Sequence, residues 1–164
     1  SGDESSALSG EALERFEASV LNVCDELAHL IVGDGEGATK AVRITVSGAR
    51  SSDDAKTIAN VIARSPLVKT ALHGEDPNWG RIIAAAGRSG VTIEPEKLEL
   101  CFNDQTLYQR GQWCGIAAEK AVNKVMQQPR YEIVLNLHLG KEYASVLTCD
   151  LTAEYVRINA DYRS

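Results

Sequence analysis

The stretch Gly33-Asp34-Gly35-Glu36-Gly37-Ala38-Thr39-Lys40 interleaves carboxylates with glycines at alternate positions. Glycine tolerates positive φ and lets a ligand come close to the backbone, so a carboxylate on such a loop could hold an ammonium group rigidly. A phosphate-binding reading fails on context. A Walker loop needs lysine directly after its last glycine and a Ser or Thr next, whereas Lys40 follows Thr39 here. A dinucleotide fingerprint needs strand, glycines and then helix, so that the helix N-terminus faces the phosphate. Here the order is helix, glycines, strand. A helix C-cap with a tight turn accounts for the same glycines without any ligand.

Two further segments concentrate polar groups. His73-Gly74-Glu75-Asp76-Pro77-Asn78-Trp79-Gly80-Arg81 could line a site as a loop. Asp76 and Pro77 could equally start a helix while Trp79 packs. His73 and Glu75 alone make too few ligands for a metal. Asn159-Ala160-Asp161-Tyr162-Arg163-Ser164 carries hydrogen-bonding groups suited to an amino acid, although termini commonly fray.

The other candidates are weaker. His29 lies near a helical apolar stripe and His138 is expected mid-strand opposite leucines; both read as structural. Ser1 could act as an N-terminal nucleophile only in a fixed, enclosed position, and Ser1 to Ser6 is hydrophilic and unpatterned. Cys24, Cys101, Cys114 and Cys149 show no zinc spacing and read as buried free thiols of a reducing cytoplasm. No metal site and no paired-carboxylate or Ser-His-Asp arrangement is read from spacing.

The elements that must position these groups follow from periodicity. From Glu11 to Val32, Leu13, Phe16, Val20, Val23, Leu27 and Leu30 recur at helical spacing. Val42, Ile44 and Val46 alternate with Arg43 and Thr45 as a strand. Ser52 is expected to cap a helix through Ile58 and Ile62, Ser65-Pro66 to stop it and start another turn, and Asp76-Pro77 to open a helix to Gly87. Leu98 to Phe102 reads as a strand turning at Asn103-Asp104 toward Leu107 and Tyr108, and Ile116 to Gln127 as a helix. Tyr131 to Leu139 and Tyr143 to Leu151 read as an antiparallel hairpin through Gly140-Lys141. The sum is an α/β protein with a mixed or largely antiparallel sheet and helices on at least one face.

At 164 residues the chain suits one domain, residues 1–164, with roughly 70% of its unfolded surface buried on folding. A net charge of −6 without clustered Lys or Arg argues against nucleic acid. No apolar run approaches the roughly 18 residues of a membrane span, and no signal peptide pattern opens the chain. A soluble, cytoplasmic protein is expected. The chain begins Ser1-Gly2 and its one methionine is Met126, so an upstream part is expected to be missing.

Three segments, Asp34-Gly35-Glu36-Gly37-Ala38-Thr39-Lys40, Asp76-Pro77-Asn78-Trp79-Gly80-Arg81 and Ile158-Asn159-Ala160-Asp161-Tyr162-Arg163-Ser164, together resemble the ornithine acetyltransferase (glutamate N-acetyltransferase) family. The resemblance implies the αββα sandwich of the DmpA/ArgJ-like proteins, with two helical layers around β-sheets. It implies a precursor that cuts itself before a threonine into paired α and β chains, of which this chain is the C-terminal domain of the β chain. The nucleophilic threonine would take acetyl from N-acetylornithine and pass it to glutamate, in arginine biosynthesis. Some members also use acetyl-CoA as donor; no other cofactor is implied. That threonine and the oxyanion hole would lie upstream, so no catalytic residue is expected here and the chain alone should be inactive.

Carried over by position, Glu36, Asn159 and Ser164 are the implied substrate-binding residues, with Ser164 where the family usually has threonine. Asn78 and Arg81 are expected to support the site. Competing readings are a noncatalytic amino-acid-binding module, a self-cleaving aminopeptidase-like relative and a purely structural subunit.

Overall fold

A computed structural model of the chain describes residues 9–161. Helix α1 (Glu11–Gly33) leads through the glycine loop into β1 (Ala41–Ala49). Helices α2 (Ser52–Ala63), α3 (Pro66–His73) and α4 (Trp79–Gly87) follow. A short 3₁₀ turn then precedes β2 (Glu99–Phe102), β3 (Gln105–Gln109) and β4 (Gln112–Trp113). Helix α5 (Ile116–Met126), strands β5 (Arg130–Asn136) and β6 (Glu142–Cys149), and helix α6 (Ala153–Asp161) complete the described chain. The strands form one six-stranded sheet in the order β4-β3-β2-β5-β1-β6. It is a mixed sheet, because β1 runs parallel to β5 and antiparallel to β6.

Alternation sets the two faces. Val42, Ile44 and Val46 of β1 stand level with Tyr131, Ile133 and Leu135 of β5, and all are buried. Ile58 and Ile62 of α2, Ile82 of α4, and Val122 and Met126 of α5 join them in one apolar cluster. Each such side chain contributes about 1.5–3 kcal/mol when fully buried. The opposite face carries Arg43, Thr45, Glu132 and Ser145, where Thr45 hydrogen-bonds with both Glu132 and Ser145. Helix α1 lies on this polar side, tied through Arg43 to Asp25 and His29 and through Arg130 to Glu26. The guanidinium of Arg43 holds the Asp25 carboxyl below its usual range. The second sheet of a sandwich is not among the described residues.

The expected hairpin between Tyr131–Leu139 and Tyr143–Leu151 does not form. Strand β1 lies between β5 and β6, pairing Val42 with Tyr131 on one side and with Thr148 on the other. Gly140 marks a crossing over the end of β1, where any side chain would collide with the Ala49 carbonyl. Leu137 and Leu139 donate their amides to Ser47 and Gly48 at 2.9 and 2.7 Å, fastening the crossing chain to β1. His138 therefore sits beyond β5 with φ of 52°, near Glu99, and is not mid-strand.

Smaller corrections concern caps and burial. Ser51, not Ser52, caps α2, and Asn78, not Asp76, caps α4. In both cases the capping oxygen must reach the third residue of the helix. Cys24 is exposed, and the other three cysteines are only partly buried. The apolar stripe of α1 is genuine but contributes no buried residue.

Candidate functional site

The glycine loop is held on two sides by the end of the sheet and the start of α6. Asp34 closes α1, donating its amide to the Leu30 carbonyl at 2.9 Å, and the Gly35 amide follows to Val32 at 3.3 Å. Gly37 takes φ of 67°, and a Cβ there would stand 2.8 Å from the Tyr155 nitrogen and 3.0 Å from Thr152 Oγ1. Only glycine fits. Thr152 uses both of its capacities. Its hydroxyl donates to the Gly37 carbonyl at 2.9 Å and accepts the Tyr155 amide at 3.0 Å, capping α6 and clamping the loop together.

Asp150, one residue past β6, makes the densest set of contacts. Its Oδ1 accepts the amides of Thr39 at 2.8 Å and Lys40 at 3.0 Å. Its Oδ2 accepts the Thr39 hydroxyl at 2.6 Å and meets His73 Nδ1 at 3.0 Å. The side chain is 0% exposed. Burial pushes its pKa up, but the bonds from Thr39, Lys40 and His73 outweigh burial and hold the carboxyl below its ordinary value.

Lys40 extends the network inward. Its ammonium donates to Glu75 Oε1 at 2.6 Å and to the Met126 carbonyl at 2.8 Å. Tyr131 is buried nearby, and its hydroxyl has no hydrogen-bond partner among the described residues. Burial and the charges of Asp150 and Glu75 push its pKa up, so it stays neutral.

On this scaffold Glu36 and Asn159 meet. Asn159 Nδ2 donates to Glu36 Oε2 at 2.8 Å, and also to the Tyr155 carbonyl one turn back at 2.9 Å. Helix α6 supplies the rigidity: capping at Thr152 fixes its first turn, and Asn159 projects two turns later. Both side chains are exposed. With both Nδ2 hydrogens taken, the pair presents carboxylate and amide oxygens, acceptors suited to the cationic amine of a small molecule. The third expected residue, Ser164, lies outside the described residues, as does Ser1.

The middle segment divides. His73 and Glu75 reach into the network, whereas Asn78 caps α4 and donates to Asp76 at 3.0 Å. Arg81 donates to the Leu67 carbonyl at 3.0 Å, joining α4 to α3. Trp79 stacks on Tyr108, with ring centroids 5.0 Å apart. Asn78 and Arg81 thus fix the α3–α4 corner and touch neither Glu36 nor Asn159. His29 Nε2 accepts from Arg43 at 3.0 Å, a structural placement.

Sequence reasoning missed Asp150, Thr152, Thr39 and Lys40 as supports. The Asp-x-Thr after a strand and before Ala153-Glu154 was the available signal, since Thr152 precedes a helix in the way an N-cap does. No group of three or more His, Cys, Asp or Glu among the described residues could hold a metal ion. No helix among them is long and apolar enough to cross a membrane.

Comparison with known proteins places these residues in context. Residues 2–164 match the family described as "ArgJ family". The chain is 48% identical over 154 residues to the arginine biosynthesis bifunctional protein ArgJ of Geobacter sulfurreducens, covering 94% of this chain and 39% of that protein. It is 42% identical over 156 residues to the glutamate N-acetyltransferase of Methanosarcina acetivorans, covering 93% of this chain and 40% of that one. It therefore spans about two fifths of the length of these curated relatives. The crystal structure of the arginine biosynthesis bifunctional protein ArgJ from Bacillus halodurans superposes with a TM-score of 0.85 at 37% identity, covering 93% of this chain and 72% of that one.

Proposed function

This chain belongs to the ArgJ family, and from that premise we propose that it is the substrate-binding part of an N-acetyltransferase that moves acetyl from N-acetylornithine to glutamate. The observation that carries the proposal is the Glu36–Asn159 contact, a hydrogen bond spanning 123 positions of sequence. It joins two of the three segments on which the family resemblance rests. In this reading Glu36 receives the ammonium of the amino acid. Asn159, with Ser164, donates to its carboxylate, which requires Asn159 Nδ2 to release Glu36 as the substrate ammonium takes its place. The names of the relatives, one of which is a glutamate N-acetyltransferase, support the same reaction.

The nucleophile is an N-terminal threonine in the upstream segment, and an acetyl-threonine intermediate divides the transfer into two half-reactions with ping-pong kinetics. Acetyl-CoA is a second donor in the bifunctional version of this reading. The upstream β segment and the α chain are the partners, working in the cytoplasm.

The exposed stripe of α1 supports the partnership. Phe16, Val20, Val23, Leu27 and Leu30 all lie exposed along one helix, and contiguous exposed apolar surface of this kind marks an interaction site. Helix α1 runs directly into the Glu36 loop, so whatever covers it would stand beside the site.

The test is acetyl transfer from N-acetylornithine to glutamate by this chain alone and by the chain co-expressed with its upstream sequence. Activity only in the combined sample is the expected result. Inactivity of both would leave the amino-acid-binding module as the better reading. Glu36→Ala in the active protein should raise KM for both amino-acid substrates; an unchanged KM counts against Glu36 as a binding residue.

A further inference from the structure

We infer that Asp150 is a positioning residue for substrate binding: its carboxylate fixes the Thr39–Lys40 backbone and thereby sets where Glu36 stands relative to Asn159. The inference rests on the reading of Glu36 as a binding group and adds a residue that reading does not contain.

Both oxygens of Asp150 are used. Oδ1 takes the two successive amides of Thr39 and Lys40, and Oδ2 bridges the Thr39 hydroxyl to His73 at the end of α3. Two residues on, Thr152 takes hold of Gly37, so the loop is gripped at 37 by one residue and at 39–40 by the other. Glu36 adjoins that gripped stretch, and Asn159 stands on the helix that Thr152 caps. One short run, Asp150-Leu151-Thr152, therefore fixes both halves of the candidate site.

Stability alone is a poor explanation for such a group. A carboxylate taken wholly out of water carries a desolvation penalty that an apolar replacement would avoid. What its hydrogen bonds provide, and an apolar side chain could not, is a single register for the loop. A binding carboxylate must be held within about 0.5 Å of its productive place to be effective. Asp150 does not approach substrate in this arrangement; it acts through Glu36.

The experiment uses the complete protein, with its upstream segment, in steady-state acetyl transfer from N-acetylornithine to glutamate. Asp150→Ala should raise KM for the amino-acid substrates about tenfold, the effect of losing one hydrogen bond to a charged group, with kcat little changed. Asp150→Asn retains an oxygen for the two amides and should restore most of the loss. The double variant Glu36→Ala/Asp150→Ala should have a KM no higher than Glu36→Ala alone, because the two act through one contact. If the alanine variant does not fold, Asp150→Ser, whose single shorter hydroxyl cannot hold both amides, decides by hydrogen exchange. Faster exchange at the Thr39 and Lys40 amides together with a raised KM supports the inference; faster exchange with unchanged KM, or unchanged exchange, overturns it. An unchanged KM in Asp150→Ala, a fall in kcat alone, or additive effects in the double variant also overturn it. Should Glu36→Ala itself leave KM unchanged, the binding reading fails first, and that outcome is distinct from failure of Asp150 alone.

Discussion

Substituting alanine for Gly37 and, separately, for Gly33 applies one chemical change to two nearby glycines, and the expected signs are opposite. Gly33 ends α1, and nothing lies within 4 Å of where its Cβ would be. Alanine there should be neutral or stabilise by up to about 1 kcal/mol, through helix propensity and a less flexible unfolded chain. Gly37 holds φ of 67°, which costs an L-residue about 1–2 kcal/mol. Its Cβ would also stand 2.8 Å from the Tyr155 backbone, so the loop must shift and lose the Thr152 bond to the Gly37 carbonyl. That bond contributes about 1 kcal/mol. Subtracting roughly 0.5 kcal/mol for the stiffer unfolded chain leaves a net destabilisation of about 2 kcal/mol. The assay is urea unfolding of both variants at equal protein concentration, reading midpoints at constant m. Gly37→Ala should fall below Gly33→Ala by about 2–3 kcal/mol and also raise KM for the amino-acid substrates. Equal midpoints would refute the argument that the loop is pinned against α6.

Three further outcomes follow from the same geometry. The Asp150 carboxyl is held below its ordinary value in the folded protein. Its contribution to stability is therefore complete above an unfolded pKa of about 3.9 and lost as pH falls through the lower folded value. Acid titration of stability below about pH 4 should be less steep in Asp150→Asn than in wild type, and parallel curves would contradict the assignment. The Lys40–Glu75 pair is lopsided, with side chains 9% and 39% exposed. Glu75→Ala leaves a buried ammonium with no counter-charge and only the Met126 carbonyl as partner, and should cost about 3 kcal/mol, whereas Lys40→Met leaves a carboxylate that water can reach and should cost less. Thermal unfolding of both variants checks the order. Leu27→Asp on the exposed stripe of α1 should reduce recovery of the upstream segment in co-purification while leaving the fold of this chain intact, as read by circular dichroism.

What the sequence revealed and what it concealed divide along a physical line. Helices and strands with one apolar face were legible, because Leu13 to Leu30 and Val42 to Val46 carry their periodicity whatever they pack against. Whether a face is covered was not legible: the stripe of α1 reads like any core helix, yet buries nothing here. The false hairpin at Gly140 has a similar cause. Two strand patterns joined by a glycine turn look adjacent, and only the tertiary pairing of β1 with both shows that the turn passes over a third strand. Glu36 and Asn159 were singled out through the family resemblance, and that they touch across the fold was not readable from either segment.

Asp150 marks the limit of reading chemistry from motifs. It stands at a strand end beside Cys149 and Leu151, with no glycine, proline or repeat to draw notice, and its partners are 77 to 111 residues away. A residue that binds substrate is chosen for its own chemistry and sits in a recognisable setting. A residue that holds another in place is defined by distances that appear only after folding. The exposed Glu36 and Asn159 make few contacts of their own, so their mutual placement must come from their neighbours, and the buried Lys40, Asp150 and Thr152, with Thr39 and His73 bonded to Asp150, supply it. On the proposed reading of Glu36 and Asn159, substitutions among these supports should therefore alter substrate binding through side chains that act on the two binding groups.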